Sequence, residues 1–245
     1  MIRYLILLAA MIAVPEIAQA QQFPSNFLNA PVDGSVAAWI IRTFGLLTIL
    51  SVAPGILIMV TSFPRFVIAF SILRSGMGLS TTPSNMILTS LALFMTFYVM
   101  TPTMDQAWRE GVRPLLDNQL SEADAAQRIA EPFRTFMTRN TRDKDLKLFV
   151  DLANERGQTP VVEGKVDYRV LVPAFMLSEI RRGFEIGFLI ILPFLVIDMI
   201  VSTITMAMGM MMLPPTSISL PFKILFFVLI DGWNLLVGSL VRSFS

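Results

Sequence analysis

Four long apolar stretches and one long charged stretch divide this chain. The first apolar stretch runs from about Trp39 to Thr61, with Trp39 and Arg42 placed as interfacial anchors and Pro54-Gly55 as a kink or interruption. The second covers about Pro83 to Pro102, with Thr82 as the expected N-cap and Pro83 as the first helical residue. Between them, Phe63 to Arg74 is too apolar for a solvated loop. It reads as a broken segment packed inside protein, because irregular backbone at membrane depth survives only there or against a cavity. The third stretch runs from Gly183 to Met208, with Pro193 as a kink, and the fourth from about Pro221 to Val241. In the second, Asn85, Thr89, Ala92 and Thr96 recur at helical spacing and form a small, polar stripe suited to packing on another helix.

The N-terminus has the pattern of a secretory signal. Arg3 supplies the positive charge, Leu5 to Val14 a short apolar run, and Ala18-Gln19-Ala20 a small-residue cleavage site. Ten residues of helix reach only about 15 Å, half of a bilayer core of about 30 Å. Cleavage after Ala20 starts the mature chain outside the cytoplasm, so two crossings return it there at Pro102. The expected organisation is a signal over residues 1–20 and a polar linker over 21–38. A first apolar hairpin follows over 39–103, with helices about 39–61 and 83–102. A helical periplasmic insert covers 104–182, and a second apolar hairpin covers 183–245, its cytoplasmic turn a methionine loop at 206–215. Within the insert, Ser121-Glu-Ala-Asp124 is a helix start, and Leu146, Phe149, Val150 and Ala153 share one face of a helix ending at Gly157. The fold class expected is all-α and membrane-associated, built of two apolar hairpins with kinked or broken helices.

Composition agrees with that pattern: 54% of residues are hydrophobic and only 15% charged. Mean hydropathy is +0.67, which is membrane territory. Of the charged residues, 27 lie between Met104 and Glu185, where their signs nearly cancel, so the charges describe a solvated segment. The chain has neither cysteine nor histidine. That excludes disulfides, thiol nucleophiles, Cys/His metal sites and histidine triads. No enzymatic chemistry, cofactor or metal is expected, and a net charge of +1 gives no sign of nucleic acid.

Two features carry candidate function. The first is Met206-Ala-Met-Gly-Met-Met-Met-Leu-Pro-Pro215, in which Met206, Met208, Met210, Met211 and Met212 crowd the end of an apolar segment. Methionine is unbranched and soft, so such a cluster suits a surface that closes on itself and still yields to varied partners. The second is a set of charges at costly positions. An aspartate at the centre of a membrane helix costs about 2.5–3.5 kcal/mol, so Asp198 and Asp231 must face protein or water. Asp198 shares a face with Ser202 and Thr205, and Lys223 with Asp231, Asn234 and Gly238. These read as structural or intersubunit polar contacts. A proton relay in a small transporter is the rival reading, and an intramembrane aspartyl protease fails because neither aspartate sits in a Gly-x-Gly-Asp pattern. Glu179 and Lys223 are expected to meet as an opposite-charge contact between subunits. Gly183 and Gly187 form a small-xxx-small contact for close helix approach.

Several long blocks in order resemble the FliP/SctR family of type III secretion export gates. They are Ser62-Phe-Pro-Arg-Phe-Val-Ile-Ala-Phe-Ser-Ile-Leu-Arg-Ser-Gly76, Thr82-Pro-Ser-Asn-Met-Ile-Leu88, Pro173-Ala-Phe-Met-Leu-Ser-Glu-Ile-Arg-Arg-Gly-Phe-Glu-Ile-Gly187, and Leu192-Pro-Phe-Leu-Val-Ile-Asp198 running into Met208-Gly-Met-Met-Met212. The signal and the long insert favour the flagellar branch over the virulence injectisome. The resemblance implies five copies assembling with four FliQ and one FliR into a right-handed helical cone. That cone sits in the flagellar basal body at the bacterial inner membrane and passes unfolded export substrates, with energy from other components of the export apparatus. It also implies that Met210, Met211 and Met212 seal the closed pore, and that the gate lies largely above the bilayer plane.

Overall fold

A computed structural model describes residues 43–45, 47, 48, 51, 52, 55, 56, 58–162, 164–210 and 214–244. The chain divides into two units, Met1–Val52 and Ala53–Ser245. In the first unit the described residues are helical, with Thr48 Oγ1 donating to the Phe44 carbonyl at 2.8 Å. The expected signal with Ala18 and Ala20, the linker, and the anchors Trp39 and Arg42 lie outside the described residues, as do Pro54, Met211 and Met212. All that follows concerns the second unit.

Its element order is α1 (Phe63–Gly76), α2 (Asn85–Ala107), a π-helical turn (Trp108–Val112), α3 (Arg113–Leu116), α4 (Glu122–Asn140), α5 (Asp143–Glu155), β1 (Val161–Val162), β2 (Lys165–Val166), α6 (Tyr168–Ala207), α7 (Pro215–Leu229) and α8 (Gly232–Arg242). The two strands form a small antiparallel hairpin with Val161 opposite Val166.

The segment expected to be broken is instead the regular helix α1. Pro64 sits in its first turn, where the missing N–H costs nothing. Phe66, Ala69, Phe70 and Leu73 are fully buried, so the high apolarity of this segment reflects burial in protein. The α2 helix starts two residues later than expected. Ser84, not Thr82, is its N-cap, accepting from the Ile87 N–H at 3.4 Å. Nor does Pro102 end it: the helix passes through and loosens into the π turn. Gly111 in that turn lies against α4, where an added Cβ would stand 2.4 Å from Ile129 Cγ1.

Within the insert a helix starts as expected at Ser121, whose Oγ accepts from the Asp124 N–H at 3.2 Å and donates to the Asp124 carboxylate at 2.7 Å. The end of the insert differs. The expected boundary at residue 183 falls inside α6, a single helix of 40 residues. At 1.5 Å per residue this rod is about 60 Å long, twice a hydrocarbon core of about 30 Å. Its first half packs on α4 and α5, its middle on α1, and its second half on α7. The fourth apolar stretch is likewise two helices, α7 and α8, bent by 64° at Ile230–Asp231. Among the described residues, two helical stretches, Asn85–Leu116 and Tyr168–Ala207, are long and apolar enough to cross a membrane.

The main core lies among α1, α2, α6, α7 and α8, around Phe66, Phe70, Ala92, Phe194, Phe227, Leu236 and Leu240. A second cluster, Val60, Met137, Leu171 and Phe175, joins the insert to α6.

Candidate functional site

The seam between α1 and α6 sets the frame. A Cβ on Gly183 would stand 3.0 Å from Ile68, one on Gly187 2.8 Å from Ile72, and one on Gly76 2.3 Å from Ile191. Residue numbers on the two helices rise together with a constant offset, so the helices run parallel. Two glycines on α6 receive isoleucines from α1, and one glycine on α1 receives an isoleucine from α6. The backbones approach closely because no side chain stands between them.

One turn before Gly183 the same register brings Arg65 to Glu179. Arg65 Nε donates to Glu179 Oε2 at 2.9 Å, and Nη2 bonds the other carboxylate oxygen, a bidentate pair with both side chains fully buried. Arg65 Nη1 donates to Ser243 O at 3.0 Å and Ser243 Oγ at 2.7 Å, and the guanidinium lies 3.5 Å from the centre of the Phe244 ring. Phe244 stacks in turn on Phe66 and Phe136. The arginine therefore ties α1, α6 and the segment after α8 into one centre, and its planar fork satisfies the buried carboxylate.

Glu179 and Lys223 do not meet within the chain. Glu179 precedes Asp198 by 19 residues on α6, about 28 Å of helix, and Lys223 lies level with Asp198. Lys223 Nζ bonds Asp198 Oδ2 at 2.6 Å and the Gly76 carbonyl at 3.1 Å. Asp198 Oδ1 also accepts from Ser219 Oγ at 2.5 Å. Lys223 is buried, whereas Asp198 keeps 30% of its side-chain exposure. These bonds join α6 to α7 and cap the C-terminal end of α1 with a cation, as the helix dipole favours. Asp231 is elsewhere. It occupies the elbow between α7 and α8 with φ 51° and ψ 51°, exposed and without a side-chain capping bond. The face expected to unite Lys223 with Asp231, Asn234 and Gly238 does not form, because the elbow breaks the helical period.

Beyond Asp198, α6 and α7 form an antiparallel hairpin, with Phe194 against Phe226 and Phe227 at its base. At its tip Met206 and Met208 are 57% and 66% exposed. The Met210 N–H donates to the Thr205 carbonyl, and Gly209 turns the chain at φ 75°. Between the helices lies an apolar groove of about 410 Å³, lined by Ile197, Val201, Ile204, Met208, Met210 and Phe222 among others. Among the described residues, no three His, Cys, Asp or Glu side chains gather as metal ligands.

The FliP family profile matches residues 46–240, which include the seam, both ion pairs and the methionine tip. The chain belongs to the FliP family. The flagellar biosynthetic protein FliP of Agrobacterium fabrum is 80% identical over the whole of both chains, and that of Rhizobium meliloti 78% identical over 244 residues. FliP of Bacillus subtilis is 49% identical over 81% of this chain and 89% of its own.

Three participants in the FliP-like site escaped sequence reasoning: Arg65, Ser219 and the Ser243–Phe244 segment. Arg65 left a signal, being one of only two charges in the apolar block from Ser62 to Gly76, where a cation at such depth needs a partner. Which anion it finds depends on the α1–α6 register, invisible to local periodicity.

Proposed function

We propose that this FliP-family chain is a pore-forming subunit of the bacterial flagellar type III protein export gate. It passes unfolded flagellar subunits across the inner membrane, with the methionine tip of the α6–α7 hairpin closing the pore at rest. The observation that carries this reading is the tip itself: Met206 and Met208 are exposed at the end of a hairpin standing beyond the end of α1. Exposed methionines from several subunits, converging on an axis, form a hydrophobic constriction that excludes water and ions without a charged plug. The same flexible side chains re-form around a moving polypeptide whatever its sequence. Met210, Met211 and Met212 are assigned to the same seal.

The partners proposed are further copies of the chain, five in all, with FliQ and FliR. Large exposed apolar faces support such a setting, among them Met86, Phe94, Phe97 and Tyr98 on α2 and Phe184, Phe188 and Leu189 on α6. The length of α6, well beyond a bilayer core, fits a subunit whose insert stands on the periplasmic side. It also fits apolar helices that face protein over much of their length. The seal is tested by replacing Met210, Met211 and Met212 with alanine in cells carrying the complete gate. The expected result is entry of small solutes that wild-type cells exclude, with the complex still recovered. Unchanged permeability with an assembled complex would overturn the seal.

A further inference from the structure

Outside the insert, the second unit carries few charges, and the structure pairs most of them: Arg65 with Glu179, and Lys223 with Asp198. Arg74, Asp231 and Arg242 remain without an opposite charge within 4.0 Å among the described residues. Arg242 has a local explanation: it is exposed, ends α8 where the dipole favours a cation, and donates to the Gly238 carbonyl. Arg74 and Asp231 have none. The end of α1 is already served by Lys223. Arg74 is half-buried in a polar notch with Ser71, Asn85 and Thr89, where Nη1 meets only the neutral Asn85 Oδ1 and the Pro83 carbonyl. Apolar surface surrounds it, with Met86 80% and Ile87 59% exposed.

Asp231 is the complementary case. Aspartate tolerates a left-handed backbone chiefly by bonding locally, and Asp231 makes no such capping bond, so glycine would serve the elbow at lower cost. Its neighbours Val228 and Leu229 are exposed at 68% and 74%. An anion on one apolar margin and a cation on another are what a head-to-tail contact between identical subunits requires, since such a contact joins two different patches.

Their levels agree. Lys223 meets the Gly76 carbonyl and so fixes the height of α7 against α1. α7 runs antiparallel to α6, and hence to α1. Arg74 lies two residues before Gly76 and Asp231 eight residues after Lys223. Both charges therefore sit on the same side of that level, about 9 Å apart along the axis. The arginine side chain covers most of that offset. Arg74 faces the start of α2, which packs on α1, whereas Asp231 ends α7, which packs on α6.

We propose that the α7–α8 elbow of one copy docks in the α1–α2 notch of the next, with Asp231 bonded to Arg74. The contact rests on the multi-copy gate proposed above and specifies its interface. It recognises a second copy of this chain through one ion pair set in apolar surface.

The test uses the full chain in membranes, co-expressed with its gate partners. The chain has no cysteine, so introduced thiols are unique. One tagged copy carries Arg74→Cys, another Asp231→Cys, and a short flexible bismaleimide joins neighbouring thiols. The expected result is a cross-linked pair that forms when both substituted copies are present and not when either is expressed alone. In parallel, Arg74→Glu and Asp231→Arg should each lower the recovered homo-oligomer about tenfold, because like charges then face each other in apolar surface, and the combination should restore most of it. A homo-oligomer of normal mass with no cross-link and no rescue overturns the contact and leaves the gate reading standing. Absence of any homo-oligomer in the wild-type complex overturns both.

Discussion

The two halves of α6 use buried charge in different ways. In the first half Arg65 and Glu179 are fully enclosed, doubly bonded to each other, and sealed by Ser243 and Phe244. In the second half Asp198 keeps a third of its exposure and shares its bonds between Lys223 and Ser219. The first half is threaded to α1 by glycines that receive isoleucines. The second has α7 as its companion and an open apolar groove between them. One helix therefore joins a rigid clamp to a yielding hairpin, and the arrangement of charge follows the division.

The largest effect should come from breaking the clamp on one side. Arg65→Met leaves Glu179 buried without a partner and should cost about 3–5 kcal/mol, read as loss of protease-resistant protein in membranes. Adding Glu179→Met should recover at least half of that loss, since the penalty belongs to the stranded charge. If the double variant is as unstable as the single, the clamp is not an isolated ion pair. Next comes the seam. Gly187→Ala brings a methyl within 2.8 Å of Ile72 Cδ1 and should cost about 1–3 kcal/mol in the thermal stability of the purified complex. Ile72→Ala in the same chain should relieve it, and a failure to do so would place the strain elsewhere.

In the hairpin the corresponding break should be milder. Lys223→Met leaves Asp198 with Ser219 and water, so a loss of about 1–2 kcal/mol is expected in the same melting assay. A cost equal to that of Arg65→Met would erase the distinction between the halves. The smallest effect belongs to the tip. Met206→Leu and Met208→Leu sit on exposed positions and should change stability by less than about 0.5 kcal/mol, so any change in solute leak would report the seal and not the fold.

How much of this was legible in the sequence follows the range of each interaction. The Ser121 cap and the Leu146–Ala153 face are local, and their residue types announce them. Gly183 and Gly187 mark a close approach by spacing alone, although not which helix arrives. The regularity of α1 was hidden because a helix buried on most sides has no polar face to set its period. The length of α6 was hidden for the opposite reason. The charges from Glu179 to Glu185 suggested a boundary, yet Glu179 is satisfied from across the chain and Arg181 pairs with Glu185 one turn on at 2.9 Å. That Glu179 and Lys223 stand far apart within one chain, each with another partner, follows from axial distance, a quantity that only the register between helices defines. The elbow at Asp231 interrupts an otherwise apolar run without proline, so nothing in composition signals it before Gly232.

The unequal lengths of α1 and α6 have a mechanical consequence. Gly76 ends α1 level with Ile191, and α6 continues for 16 more residues to Ala207, an overhang of about 24 Å. Such a beam is anchored at its root and free at its end, so deflection grows with distance from the support. A tilt of about 10° at the root swings the extremity by about 4 Å, roughly the width of one side chain. Modest flexing near Ile191 would thus displace the methionine tip far more than it disturbs the clamp.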